Sequence, residues 1–100
     1  MNMQQMMMQA QKMQRELKKA KDELAKQEFE ITKGGAVTVV MMGNGTIKSI
    51  SFDEDAFEAD NKEMIEDMIT LAINELLEKV ALADQKIEER ITGRAGGFGF

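Results

Sequence analysis

Lys12, Lys19 and Lys26 recur every seven residues, with Arg15 and Lys18 beside them. On a helix this spacing gathers them along one side, because seven residues make nearly two full turns. Cations one or two turns apart can follow a line of phosphates, so the chemistry open to them is the neutralisation of a polyanion. A solvated helix face is the plainer use of the same charges. Nothing comparable points to bond making. Histidine and cysteine are absent, which removes the commonest acid/base residue and metal ligand, thiolate nucleophiles and disulfides. The carboxylates of Asp53-Glu54-Asp55 lack the spacing and glycine of a calcium loop. Gly34-Gly35 lacks the following lysine and hydroxyl of a phosphate loop. The expectation is no catalytic residue, no metal or cofactor and no small-molecule substrate.

The element that must carry the basic stripe is the first 27 residues, which contain no Gly, Pro or β-branched residue and are rich in Met, Gln, Lys, Glu, Ala and Leu. These are strong helix formers. Met3, Met6, Ala10, Met13, Leu17, Ala20 and Leu24 alternate steps of three and four, the narrow seam of a helix that packs on another helix. The stripe faces away from this seam. Such a helix is about 40 Å long, more than a small sheet can cover, so part of it must project or find a partner.

The remainder predicts a three-stranded antiparallel sheet, a short helical turn and a second long helix. Glu28–Thr32 alternates as a strand with Phe29 and Ile31 inward. A three-residue loop, Lys33-Gly34-Gly35, would pair Thr32 with Ala36, Ile31 with Val37 and Phe29 with Val39. Asn44-Gly45 predicts a two-residue hairpin pairing Met42 with Ile47, Met41 with Lys48, Val39 with Ile50 and Val37 with Phe52. Val37, Val39, Met41, Ile50 and Phe52 then share a core face, leaving Thr38, Val40, Met42, Ile47, Ser49 and Ser51 on a mixed face.

Asp53 is placed to cap the turn at Asp53–Phe57. Asp60-Asn61-Lys62-Glu63 resembles a capping box opening a helix that runs to Thr92, where Gly93 stops it. Ile65, Met68, Ile69, Ala72, Leu76, Val80, Ala83 and Ile87 could cover the sheet. Met64, Leu71, Ile73, Leu77 and Leu82 widen the apolar arc beyond one sheet's need, so the opening helix or another subunit should cover them. Val40, Met42, Ile47, Ile73 and Leu77 are the candidate dimer or packing residues. The glycine-rich tail, 94–100, is not expected to hold regular structure, which leaves 1–93 as the single domain.

The net charge of −5 hides a strong polarity. The first 27 residues hold six basic and three acidic groups, and the rest hold seven basic and fifteen acidic. Eight carboxylates fall between Asp53 and Asp67. A basic arm and an acidic body are compatible with a nucleic-acid partner despite the overall sign. Lys86, Arg90 and Arg94 form a secondary basic set. With no signal segment and no apolar run long enough to span a bilayer, a cytoplasmic protein with no membrane partner is the default.

The chain resembles the YbaB/EbfC family of bacterial nucleoid-associated proteins. The likeness is carried by Met-Gln-Gln-Met and Ala-Gln-Lys-Met-Gln in the opening helix, by Lys48-Ser49-Ile50-Ser51-Phe52-Asp53, and by Asn61-Lys62-Glu63-Met64-Ile65-Glu66-Asp67-Met68 with Asn74 beyond. Glu54 stands where members often carry a proline, a departure confined to a turn. The resemblance implies an α+β homodimer whose helices project as arms, binding double-stranded DNA and affecting nucleoid organisation and transcription. It supplies no short DNA-reading signature, so the site assignment rests on the stripe itself. The alternative is an adaptor that uses the Met-rich seam to bind a partner protein, its lysines merely solvated.

Overall fold

The computed structural model describes residues 2–93; the expectations for Arg94 and the tail lie outside them. The order is α1 (Met3–Lys26), β1 (Glu28–Lys33), β2 (Val37–Met42), β3 (Ile47–Phe52), two short 3-10 turns (Glu54–Ala56 and Ala59–Asn61) and α2 (Lys62–Thr92). This is the expected α+β arrangement, with the strands antiparallel in the order β1-β2-β3. Asn2 begins α1 by accepting a hydrogen bond from the Gln5 N–H at 2.8 Å, which satisfies one of the unpaired donors of the first turn.

Both hairpins keep the expected inward residues but change register, the first along its whole length and the second near its turn. The first loop is Gly34-Gly35-Ala36, so Lys33 pairs with Val37, Ile31 with Val39 and Phe29 with Met41. The strand slides by two residues, which preserves the face of every side chain. Both loop glycines take positive φ, +59° and +66°. Lys33, expected in the loop, becomes a strand residue on the core side, where its ammonium meets the Glu75 carboxylate of α2.

In the second hairpin Val37–Phe52 and Val39–Ile50 pair as expected, but Met41 faces Ile47 and Lys48 is the extra residue of a bulge. The loop holds Gly43, Asn44 and Gly45: the Met42 N–H donates to the Thr46 carbonyl at 2.7 Å and the Gly45 N–H to the Met42 carbonyl at 2.9 Å. The end of α1 explains the change. Gly43 donates to the Gln27 carbonyl at 2.9 Å, and a Cβ on Gly43 would lie 1.8 Å from the Leu24 carbonyl oxygen. Seating the helix end on Gly43 draws that residue into the loop. Ile47 therefore turns to the side of Met41, away from Val40 and Met42. Lys48 reaches over β2 to the Glu28 carboxylate.

Asp53 caps the first 3-10 turn through the Asp55 N–H at 3.3 Å. The expected capping box does not form. Asn61 spends its side-chain amide on the Ala56 carbonyl at 3.0 Å, and the second 3-10 turn leads the chain into α2 instead. α2 runs to Thr92 as expected, but Gly93 does not act as a left-handed stop: it keeps helical φ and ψ, −63° and −34°, and its N–H donates to the Glu89 carbonyl at 2.8 Å as in the helix itself.

The core is a contact between β2 and α2. Val37, Val39 and Met41 are buried against Ile65, Ala72 and Leu76, with Phe29, Ile31, Met68, Ile69, Ile73 and Val80 around them. A helix is about 10 Å wide and strands lie about 4.8 Å apart, so one helix covers two strands. Here α2 lies over β1 and β2. Every residue of β3 is exposed. Ile50 and Phe52, expected in the core, are 39 % and 38 % exposed because, among the described residues, α2 lies over β1 and β2 and not over that strand.

α1 runs antiparallel along the C-terminal part of α2. Ala20 and Leu24 are buried there, as is Ile91 of α2. Residues before Glu16 extend beyond the end of α2, and Met3, Met6, Met7 and Met8 are exposed. The result is a molecule 69 × 22 × 14 Å across with a radius of gyration of 19.7 Å, against about 13 Å for a compact chain of this length.

Candidate nucleic-acid interface

The geometry of α1 sorts its basic residues into three groups. Lys12, Arg15, Lys19 and Lys26 fall within about 60° of arc at 100° per residue and span about 21 Å along the axis. All four are exposed, and none makes an ion pair among the described residues. Lys18 lies off this strip and is paired with Asp22 at 2.9 Å, one turn on. Lys21, which carries no expected role, points the other way and fastens α1 to α2, with its ammonium 2.7 Å from Glu88 and 3.7 Å from Asp84. The hydrogen bond that it donates to the Glu88 carboxylate raises its pKa above the ordinary lysine value; desolvation opposes this and the nearby Asp84 charge adds to it. Its position between two seam residues, Ala20 and Leu24, was the available signal for this role.

Carboxylates are arranged so that they leave the outer arm free. α1 has none before Glu16. The Asp53–Asp67 acids surround the start of α2, about 45 Å along that helix from the end where the arm emerges. Positive charge is therefore concentrated on the outer arm and negative charge around the start of α2. Helical rise places Lys12 to Lys26 along a length comparable to about six base pairs, and exposed cations over that distance can displace condensed counterions.

The secondary set is divided. Arg90 lines a shallow depression between the helices with Lys19, Ala20, Ile91 and the acids Glu16 and Glu23, so one of its members adjoins the stripe. Lys86 is exposed on α2 without an ion pair among the described residues, and Arg94 lies outside those residues.

The candidate packing residues are also divided. Val40 and Met42 are half-buried on the sheet face away from α2, and Ile73 is half-buried against the core. Ile47 and Leu77 are 40 % and 45 % exposed. The apolar surface left open includes residues not anticipated: Ile50, Phe52 and Phe57, the two rings 5.6 Å apart between centroids. Among the described residues, no group of three or more acidic side chains is placed to hold a metal ion, and no helix is long and apolar enough to cross a membrane.

Comparison with known proteins places this geometry in context. The model of the YbaB/EbfC DNA-binding family matches residues 1–97. A nucleoid-associated protein of Mycoplasmopsis pulmonis is 38 % identical over 91 residues, covering 91 % of this chain and 90 % of that protein. One from Lachnoclostridium phytofermentans is 38 % identical over 99 residues, covering 98 % and 83 %. One from Clostridium botulinum is 45 % identical over 93 residues, covering 92 % and 82 %.

Proposed function

The chain belongs to the YbaB/EbfC DNA-binding family, and from that premise we propose that it binds double-stranded DNA as a homodimer, mainly through phosphate contacts made by the basic faces of two projecting α1 arms. Residues 1–93 act as one DNA-binding unit in the nucleoid, where the protein influences DNA organisation and gene expression; the nucleoid-associated names of its relatives support that location. It has no catalytic role.

The observation that carries this reading is the exposed strip of Lys12, Arg15, Lys19 and Lys26, without an ion pair among the described residues, on a helix that has no carboxylate before Glu16. Phosphate contacts fix position without reading bases, so affinity should vary little with sequence and fall steeply with salt. No tyrosine or tryptophan is present, which disfavours base stacking on single strands. Two copies would meet through the apolar surface on β3 and the adjoining side of α2, with Ile47, Ile50, Phe52 and Leu77 buried in the contact. Reversing two charges, Lys12→Glu with Lys19→Glu, tests the assignment by duplex titration: affinity should drop, and unchanged affinity would sink it.

The exposed seam methionines favour one competing reading, an adaptor that grips a partner helix. Its binding would be insensitive to salt and lost on Met6→Asp or Met13→Asp.

A further inference from the structure

We propose that the outer seam of α1 pairs antiparallel with the same seam on a second copy, joining two DNA-binding units arm to arm. The helix carries one seam with two kinds of border. Where α2 covers it, from Leu17 to Leu24, the bordering positions are Glu16, Lys21 and Glu23, and Lys21 is held by Glu88 and Asp84 across the contact. Beyond that stretch the seam residues are Met3, Met6 and Ala10, all exposed, and Met13, which is half-buried, and the bordering positions are Met7, Gln9 and Gln14. That stretch of seam and border has no charge at all. Met3, Met6 and Met7 are 77 %, 53 % and 57 % exposed.

The uncharged border suits a copy of itself. A partner with its own fixed charges would find nothing to pair with, whereas two identical neutral borders can meet without like-charge repulsion. The seam is also self-complementary when reversed. Met6 faces the second copy's Ala10, and Met3 faces its Met13, so a large side chain meets a small one in the two central layers. Lys12 and Arg15 lie on the opposite side of the helix, and pairing leaves both basic strips turned outward. The pairing ends before Glu16, which lines the depression between α1 and α2 with Arg90 and Ile91.

Three helical turns make a weak contact singly. Two arms on each homodimer strengthen it through effective concentration. Its consequence is a bridge between two duplexes, which extends the proposed DNA-binding role; the pairing itself does not require DNA.

Cysteine cross-linking in the full chain tests this, because the protein has no cysteine of its own. A Met6→Cys copy mixed with an Ala10→Cys copy under mild oxidation should form a mixed disulfide about tenfold faster than two Met8→Cys copies, whose thiols lie on the basic side; arm pairing raises the local thiol concentration. The same enhancement should persist with Leu77→Asp, which attacks the proposed body interface, and with Lys12→Glu plus Lys19→Glu, which attacks DNA binding. Added Met6→Asp at the tip of the Ala10→Cys copy should abolish it. Equal rates for the two cysteine pairings, or a rate unaffected by Met6→Asp, would overturn the proposal and leave the DNA-binding reading standing.

Discussion

The outer half of α1 and the body formed by β1, β2 and α2 use the same residue types to different ends. In the body, apolar side chains are covered: Val37, Val39, Ala72 and Leu76 are fully buried. In the arm, Met3, Met6, Met7 and Met8 stay open, and Lys12 and Arg15 beside them make no ion pair among the described residues. Burial is concentrated in the first region, and the proposed recognition surface lies in the second. Substitutions should therefore separate the two properties.

The largest effect should come from the body. Leu76→Ala removes a fully buried side chain and should destabilise the protein by about 2–5 kcal/mol. Thermal melting would show this, while DNA affinity of the remaining folded protein should be retained. A stability loss below 1 kcal/mol would mean that the β2–α2 contact is not the core. Gly43→Ala strikes the joint between the regions, since its Cβ would overlap the Leu24 carbonyl; a loss of about 1–3 kcal/mol is expected from the forced shift. Unchanged melting would argue against the close seating of α1 on the second hairpin.

The arm should behave in the opposite manner. Lys12→Glu with Lys19→Glu should weaken duplex binding by about tenfold or more at moderate salt and flatten the salt dependence, with melting nearly unchanged. Smaller still is Lys21→Gln. Lys21 and its carboxylate partners are all partly exposed, so solvent screens the pair and the loss of stability should be small. Circular dichroism during a thermal ramp would check it, and a large loss would make Lys21 a principal anchor of α1.

Much of the fold could be read from residue patterns because each pattern had a local cause. The α1 seam and the inward set Phe29, Ile31, Val37, Val39 and Met41 follow from periodicity, and the turn at Gly34-Gly35 from backbone freedom. What escaped depended on distant parts of the chain. The Asn44-Gly45 turn gained a third residue because α1 seats against Gly43. The capping box failed because Asn61 turned to Ala56. Ile50 and Phe52 share the core face by alternation, yet a single helix cannot extend over three strands.

The candidate site was legible as a stripe, since Lys12, Lys19 and Lys26 are in phase. Its subdivision was not. That Lys18 belongs to Asp22 and Lys21 to Glu88 and Asp84 depends on side-chain contacts, although the i to i+4 spacing of Lys18 and Asp22 carried a hint.

The most direct test of DNA binding by the arms is fluorescence anisotropy of a labelled duplex titrated with the protein across a range of salt concentrations, alongside the Lys12→Glu plus Lys19→Glu variant. The expected result is saturable binding whose logarithmic affinity falls linearly with the logarithm of salt, with a shallower slope for the variant. Absence of binding at low salt, or equal slopes for the two proteins, would contradict it.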